Sequence, residues 1–165
     1  MLAVPKGSKV DDCVRMATEL GVDEVALMQT EHTVPRWDPG RAQSRIDRLT
    51  RIASEAAAQS ERSDVPIIHP PEPCQAWLDR VPANALGIVF GARADARLDA
   101  LAEVPEQVWC AIGPEGGFTD PELEAFRGAG FAVVSLGHLV LRVETAVPAA
   151  IALVRDRVAD LLQPR

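Results

Sequence analysis

Two segments of this chain carry residue types at spacings that could do chemistry. The first is Ile112-Gly-Pro-Glu-Gly-Gly-Phe118 and the second, about twenty residues further on, is Leu136-Gly-His-Leu-Val-Leu-Arg-Val-Glu-Thr-Ala146. Each follows an apolar, strand-like run, Val108 to Ile112 and Phe131 to Leu136, and each places glycine where the chain leaves the strand. Lacking a Cβ, such positions let backbone amides approach a ligand closely. Two glycine loops at neighbouring strand ends suggest one ligand site. The spacing is neither G-x-G-x-x-G nor G-x-x-x-x-G-K-[ST], and no lysine follows the glycines, so a dinucleotide or phosphate cradle is a poor reading. For the first segment alone, a tight turn in which Pro114 presets φ and Gly116-Gly117 supply positive φ is an equal alternative. Arg142, Glu144 and Thr145 favour a site, because a polar cluster opening an apolar helix has no evident packing purpose.

The elements that must position these loops alternate. Leu2-Val4, Glu24-Met28, Pro66-His69, Leu86-Phe90, Val108-Ile112 and Phe131-Leu136 read as short buried strands, being brief apolar runs bounded by Gly, Pro or polar residues. Helices are expected between them. One runs from an N-cap at Ser8, with Asp11 three residues on, to a left-handed stop at Gly21, with Val10, Val14, Ala17 and Leu20 as its apolar stripe. A longer one covers about Pro39 to Ser60 with Ile46, Leu49, Ala53 and Ala56 inward. Others fall near Cys74-Val81, Pro121-Arg127 and Thr145-Leu162. His69-Pro-Pro-Glu-Pro73 reads as a stiff connection. The alternation predicts an α/β fold: a mainly parallel sheet with helices on both faces and ligand loops at the carboxyl ends of strands.

Composition narrows the function classes. A length of 165 residues with 47% apolar and 25% charged residues suits a single domain, residues 1–165. The chain shows no signal peptide and no run of eighteen apolar residues, so a cytoplasmic protein with no membrane partner is expected. Cys13, Cys74 and Cys110 lack C-x-x-C spacing and a histidine at zinc spacing, so no metal site is expected and the thiols read as small hydrophobes. His32, His69 and His138 are scattered. A net charge of −7 opposes strong nucleic-acid binding by this chain alone. Against that trend, Arg36, Arg41, Arg45, Arg48 and Arg51 form a local basic run, with Arg41, Arg45 and Arg48 on one helical face; a solvated face is the plain alternative.

The two loops, together with Pro5-Lys6-Gly7, Ala17-Thr-Glu-Leu-Gly-Val22, Thr30-Glu31, Gln59-Ser60 with Arg62, and Val65-Pro66, resemble the RsmE family of 16S ribosomal RNA uracil-N3 methyltransferases, of the SPOUT class, in order and spacing over nearly the whole chain. The resemblance implies a SPOUT fold with a deep C-terminal trefoil knot, S-adenosylmethionine as cofactor, a uridine of 16S ribosomal RNA or the small ribosomal subunit as substrate, and a homodimer. It further implies that the chain corresponds to the methyltransferase domain, without the N-terminal PUA-like RNA-binding domain of the family. On the matching positions, cofactor contacts fall to Phe90, Gly91, Ile112, Gly113, Pro114, Glu115, Gly116, Gly117, Leu136, Gly137, Leu141, Arg142, Thr145 and Ala146. Arg142 is the candidate for stabilising charge on the uracil oxygens, and Glu144 for orienting that guanidinium. The general base is not assigned.

Four positions depart from the family pattern. Leu139 and His32 stand where arginine is usual, Ala58 where glutamate is, and Pro148 interrupts an alanine-rich helix start. Two of them lose positive charge, which bears on RNA docking more than on the cofactor. The acidic balance and the expected lack of the N-terminal domain favour an alternative function, a cofactor-binding, dimerising scaffold without independent RNA methylation. A nucleotide-phosphate-binding enzyme is a third and weaker reading.

Overall fold

The computed structural model describes the chain except residues 35–36, 92–93, 95–97, 99–105 and 163–165, and the side chains of 39 and 159–162. Among the described residues eleven elements follow in order: β1 (Leu2–Ala3), α1 (Lys9–Glu19), β2 (Glu24–Gln29), α2 (Pro39–Gln59), β3 (Ile67–Pro73), α3 (Cys74–Leu78), β4 (Leu86–Phe90), β5 (Val108–Ile112), α4 (Asp120–Gly128), β6 (Phe131–Val134) and α5 (Val143–Leu162). The strands form one sheet in the order β3-β2-β1-β5-β4-β6, and every pairing is parallel. The α/β architecture predicted from the alternation is therefore observed.

Why the strands read as unbroken apolar runs follows from their position. A parallel sheet covered by crossover helices buries both faces, so successive side chains enter two different cores. Leu2, Leu27, Ile88 and Ile112 point into one core with Val10, Val14 and Ala17 of α1, Leu49 and Ala53 of α2, and Val147 and Ile151 of α5. Their chain neighbours Ala3, Met28, Val89 and Ala111 point into the other, with Trp77 and Leu78 of α3 and Phe126 of α4. Phe126 stacks edge-on against Phe118 at 5.0 Å and Phe131 at 5.1 Å. Each pair adds about 0.5–1.5 kcal/mol beyond burial, and the first anchors Phe118, the residue that ends the first glycine loop.

Several expectations are corrected. The two glycine loops do not leave adjacent strands, because β4 lies between β5 and β6, pairing Phe90 with Ile112 on one side and with Val134 on the other. His69-Pro-Pro-Glu-Pro73 is strand rather than connection. As the sheet edge, β3 can carry prolines whose missing donors would face no partner, and its pairing to β2 shifts register between Ala26 and Met28. Ser8 precedes α1 as expected, but its side chain makes no cap hydrogen bond, and Asp11 is paired instead with Arg48 of α2. Gly21 does adopt a positive φ of 76° at the end of α1. There Arg155 Nη1 donates to the Leu20 carbonyl at 2.6 Å, tying α5 to α1.

Helix α5 starts two residues earlier than expected. The Arg142 carbonyl accepts hydrogen bonds from the amides of Thr145, 2.9 Å, and Ala146, 2.8 Å, so Arg142 occupies the helix entrance. Pro148 lies inside the helix and removes the donor that would have met the Glu144 carbonyl.

Candidate functional site

In a parallel sheet all carboxyl ends point the same way, so the loops after β1, β2, β4, β5 and β6 gather at one end. The first glycine loop is built by a turn in which the Gly117 amide donates to the Pro114 carbonyl at 2.8 Å. Pro114 is buried, and Gly117 has φ +71°, the left-handed region that disfavours a Cβ. Gly116 requires glycine for a different reason. A Cβ built there would lie 2.9 Å from the Cβ of His32, whose Nδ1 sits 3.1 Å from the carbonyl oxygens of both Gly116 and Gly117.

Glu115 is fixed from the α1 side. Its Oε1 accepts from the Lys6 amide at 3.3 Å and from Lys9 Nζ at 3.2 Å. Lys9 Nζ also lies 3.4 Å from Glu144 Oε2, an ion pair outside hydrogen-bond angles. One ammonium thus joins the loop after β5 to the start of α5. Burial pushes the Glu115 carboxyl up, but its own backbone amide, Lys9 and the Lys6 amide outweigh that and hold it below the ordinary carboxylate value. The Lys9 ammonium is raised, chiefly by the hydrogen bond to Glu115. Because these side chains are about 30% exposed, solvent screens most of the attraction.

The expected pairing of Glu144 with Arg142 is not what the structure contains. Residues two apart at a helix start point to opposite sides, so Glu144 turns to Lys9 while Arg142 is exposed. Thr145 is likewise exposed, whereas Ala146, like Leu136, packs partly buried against the core.

The second loop is shaped by Ser135, whose hydroxyl donates to the Gly137 carbonyl at 2.6 Å and accepts from the Gly137 amide at 3.0 Å. Gly137 has φ +123° and open space where a Cβ would stand. Leu136 and Leu141 are half-buried, while Leu139 and Val140 are 68% and 81% exposed. Between the loops, Phe90 and Ile112 end their strands as buried side chains, and the Gly91 amide donates to the Val134 carbonyl at 2.9 Å. They form an apolar floor flanked by backbone groups of both loops.

Three residues that shape this end were not among the sequence candidates. Lys9 carried no local signal, since its partners are more than a hundred residues away. His32 stood out only as a departure from a pattern. Glu122 could have been found, because Thr119-Asp-Pro-Glu122 has capping-box spacing. Its Oε2 accepts from the Thr119 amide at 2.8 Å, and its Oε1 from the Glu31 amide at 2.8 Å. The loop after β2 is thereby pinned to the start of α4.

Several chemistries are disfavoured. Burial raises the thiol of Cys13 to about 12 and those of Cys74 and Cys110 to about 11, so at neutral pH they are protonated and poor nucleophiles. No group of His, Cys, Asp and Glu able to hold a metal ion occurs among the described residues, nor is any described helix long and apolar enough to cross a membrane. A cavity of about 590 Å³ lies at the other end of the sheet, lined by the amino-terminal residues of β2 and β5 and by α1 and α5. It reaches along the face covered by α1 and α5 as far as Ile112, but its mouth lacks the glycine turns whose backbone groups crowd the loop end.

A doubly covered parallel sheet whose carboxyl ends carry glycine loops over an apolar floor defines an α/β domain suited to a nucleoside-like ligand. Residues 1–155 match the family described as the RNA methyltransferase domain, and the chain belongs to that family. It is similar to ribosomal RNA small subunit methyltransferase E of Synechocystis, 33% identical over 92% of this chain and 50% of that protein, and to the Mycobacterium bovis protein of the same name, 32% identical over 90% and 59%. The chain thus spans about half the length of these relatives. Among solved structures, ribosomal RNA small subunit methyltransferase E of Neisseria gonorrhoeae bound to S-adenosylmethionine superposes with a TM-score of 0.85 at 29% identity, covering 94% of this chain and 63% of the other. A Legionella pneumophila protein in complex with the same cofactor gives 0.87 at 27% identity, with 94% and 64% covered.

Proposed function

We propose that this chain is a methyltransferase domain that binds S-adenosylmethionine between the two glycine loops and transfers its methyl group to N3 of a uridine in 16S ribosomal RNA, as a cytoplasmic homodimer. The observation that carries the reading is the cradle itself: glycines at 116, 117 and 137 with an apolar floor of Phe90 and Ile112. These groups fit the cofactor, since an adenine face needs apolar walls and its edges need backbone partners, and none of the floor residues brings a positive charge against a sulfonium. Ile112, Leu136 and Leu141 would enclose the base, and backbone groups of Gly113, Gly116, Gly137 and Leu141 would read its edges. Pro114, Gly91 and Thr145 complete the rim. The names and bound cofactor of the similar proteins support the same reading.

When bound, the cofactor supplies an electrophilic methyl group. The protein must hold the uracil in line with it and offset the charge that appears as N3 loses its proton. Arg142, exposed at the entrance of α5, is the residue we assign to the uracil oxygens. Glu144 acts through Lys9, holding the two loops in register, rather than on that guanidinium. We also infer the trefoil knot: after β6 at the sheet edge, the chain returns to pack α5 beside α1 and β5 in the core.

The net charge of −7 favours one second reading, a cofactor-binding scaffold without independent RNA turnover. Titration calorimetry with S-adenosylmethionine, followed by transfer of radiolabelled methyl to undermodified small-subunit RNA, separates the two. Binding with transfer supports the enzyme. Binding without transfer, even with an N-terminal RNA-binding domain fused, supports the scaffold, and preference for ATP or NAD overturns both.

A further inference from the structure

Positive charge is unevenly spread in this acidic chain. Residues 36–51 hold five of its arginines against two aspartates, Asp38 and Asp47, although acidic residues outnumber basic ones overall by 24 to 17. Arg36 lies outside the described residues. Arg41, Arg45 and Arg48 are exposed on α2 and share one face, four and three residues apart. That face is held in place. The Arg45 guanidinium lies 5.2 Å from the centre of the Trp37 ring, and Arg48 pairs with Asp11 of α1. Beneath it is a recess of about 300 Å³, lined by Gly7, Ser8, Trp37, Arg45 and Arg48 among others. Gly7 and Ser8 directly precede Lys9, the residue that joins the two ligand loops.

We infer that the Arg41, Arg45 and Arg48 face of α2, with the recess below it, grips the sugar-phosphate backbone of the RNA substrate. The inference rests on the RNA methyltransferase reading of the loop site. Guanidinium groups present planar forks that match phosphate oxygens. Arg45, braced on the indole, keeps its N–H donors free to point outward. A backbone contact fits better than base stacking, because Trp37 is only 9% exposed and its ring belongs to the core. The recess opens at the carboxyl end of β1, the same end of the sheet as both glycine loops. RNA crossing α2 therefore runs past the start of α1 toward the cofactor cradle. Asp11 neutralises part of Arg48, so Arg41 and Arg45 carry most of the charge.

The test is fluorescence anisotropy of a labelled fragment of small-subunit ribosomal RNA at low salt, in parallel with calorimetry of S-adenosylmethionine. Replacing all three arginines by glutamine is expected to weaken RNA binding at least tenfold. It should also lower the slope of log affinity against log salt by about 2, at roughly 0.7 per phosphate contact on a single strand, with cofactor affinity unchanged. Arg45 and Arg48 also make contacts within the fold, so Arg41→Gln alone serves as the second variant. It is exposed and outside both contacts, and should cost about threefold with an unchanged melting temperature. RNA binding by the parent that neither variant alters overturns the inference, as does a parent that binds cofactor but no RNA. A parent that fails to bind S-adenosylmethionine overturns the enzyme reading, and the α2 face is then judged on RNA binding alone.

Discussion

Gly116 lies so close beneath His32 that a methyl group added to the glycine would stand 2.9 Å from the histidine Cβ. The constraint belongs to that pair and not to the turn, because Gly116 is not among the positive-φ glycines whereas Gly117, at +71°, is. Two adjacent glycines are thus required for two separate physical reasons.

The distinction predicts different rescue behaviour. Gly116→Ala should lower S-adenosylmethionine affinity about tenfold, equivalent to about 1.4 kcal/mol, and His32→Gly should restore part of it by clearing the space. Gly117→Ala should cost about 1–2 kcal/mol through its backbone conformation, with no rescue from His32→Gly. Calorimetry on the double-mutant cycles measures the coupling. Equal coupling at both positions would refute the assignment.

A second prediction concerns acid and alkali. The folded-state value of Glu115 is held below its ordinary 4.5, so its contact with Lys9 contributes fully above that value and is lost as pH falls through the lower folded one. Lys9 is raised above 10.5, so its share is complete below 10.5 and is lost as pH rises through the raised value. The melting difference between the parent and Lys9→Met should therefore be flat across neutral pH and shrink in acid below 4.5 and in alkali above 10.5. It should be small, as for exposed pairs generally, and smaller still in high salt. A gap that persists unchanged in acid would mean that Lys9 acts by packing.

What could be read from the residues differs from what could not along a physical line. Val108-Ile112 and Leu86-Phe90 match their predicted limits because each is an apolar run bracketed by breakers. The left-handed stop at Gly21 is equally local. Sheet order is not local, and nothing in the periodicity of Leu86-Phe90 or Phe131-Val134 says that β4 will sit between β5 and β6. Lys9 likewise looks like any surface lysine until the fold brings Glu115 and Glu144 to it. The prolines of β3 misled because proline signals a break in isolation, whereas an edge strand tolerates it. The glycine loops were legible because close backbone approach leaves a mark on sequence.

A third prediction is that the chain is a homodimer. The apolar residues of α5 are partly used within the chain: Ile151 is 8% exposed and packs in the core, and the side chains of Leu161 and Leu162 lie outside those described. Leu139 and Val140, 68% and 81% exposed beside the site, are the better candidates for cover by a second copy. A two-fold contact is the default for such a pair. Light scattering at tens of micromolar should give twice the chain mass, and Val140→Glu should shift it toward monomer. A monomeric parent would count against the dimer.

The last prediction separates chemistry from structure at Arg142. Its carbonyl accepts the first hydrogen bonds of α5 from Thr145 and Ala146, a backbone duty that any residue can perform, while its side chain is exposed and Glu144 is engaged by Lys9. Removing the guanidinium should therefore leave the fold nearly untouched. If that group offsets charge developing on the uracil, Arg142→Ala should lower methyl transfer by on the order of a hundredfold, as loss of such a donor does elsewhere. Melting temperature and cofactor affinity should stay near the parent values. Arg142→Lys should recover part of the rate only, keeping the charge without the planar fork. Glu144→Gln should act differently, loosening the loops through Lys9 and raising the cofactor KM more than it lowers kcat. A collapse of melting temperature in Arg142→Ala would make the residue a structural cap, and an unchanged rate would remove it from the reaction.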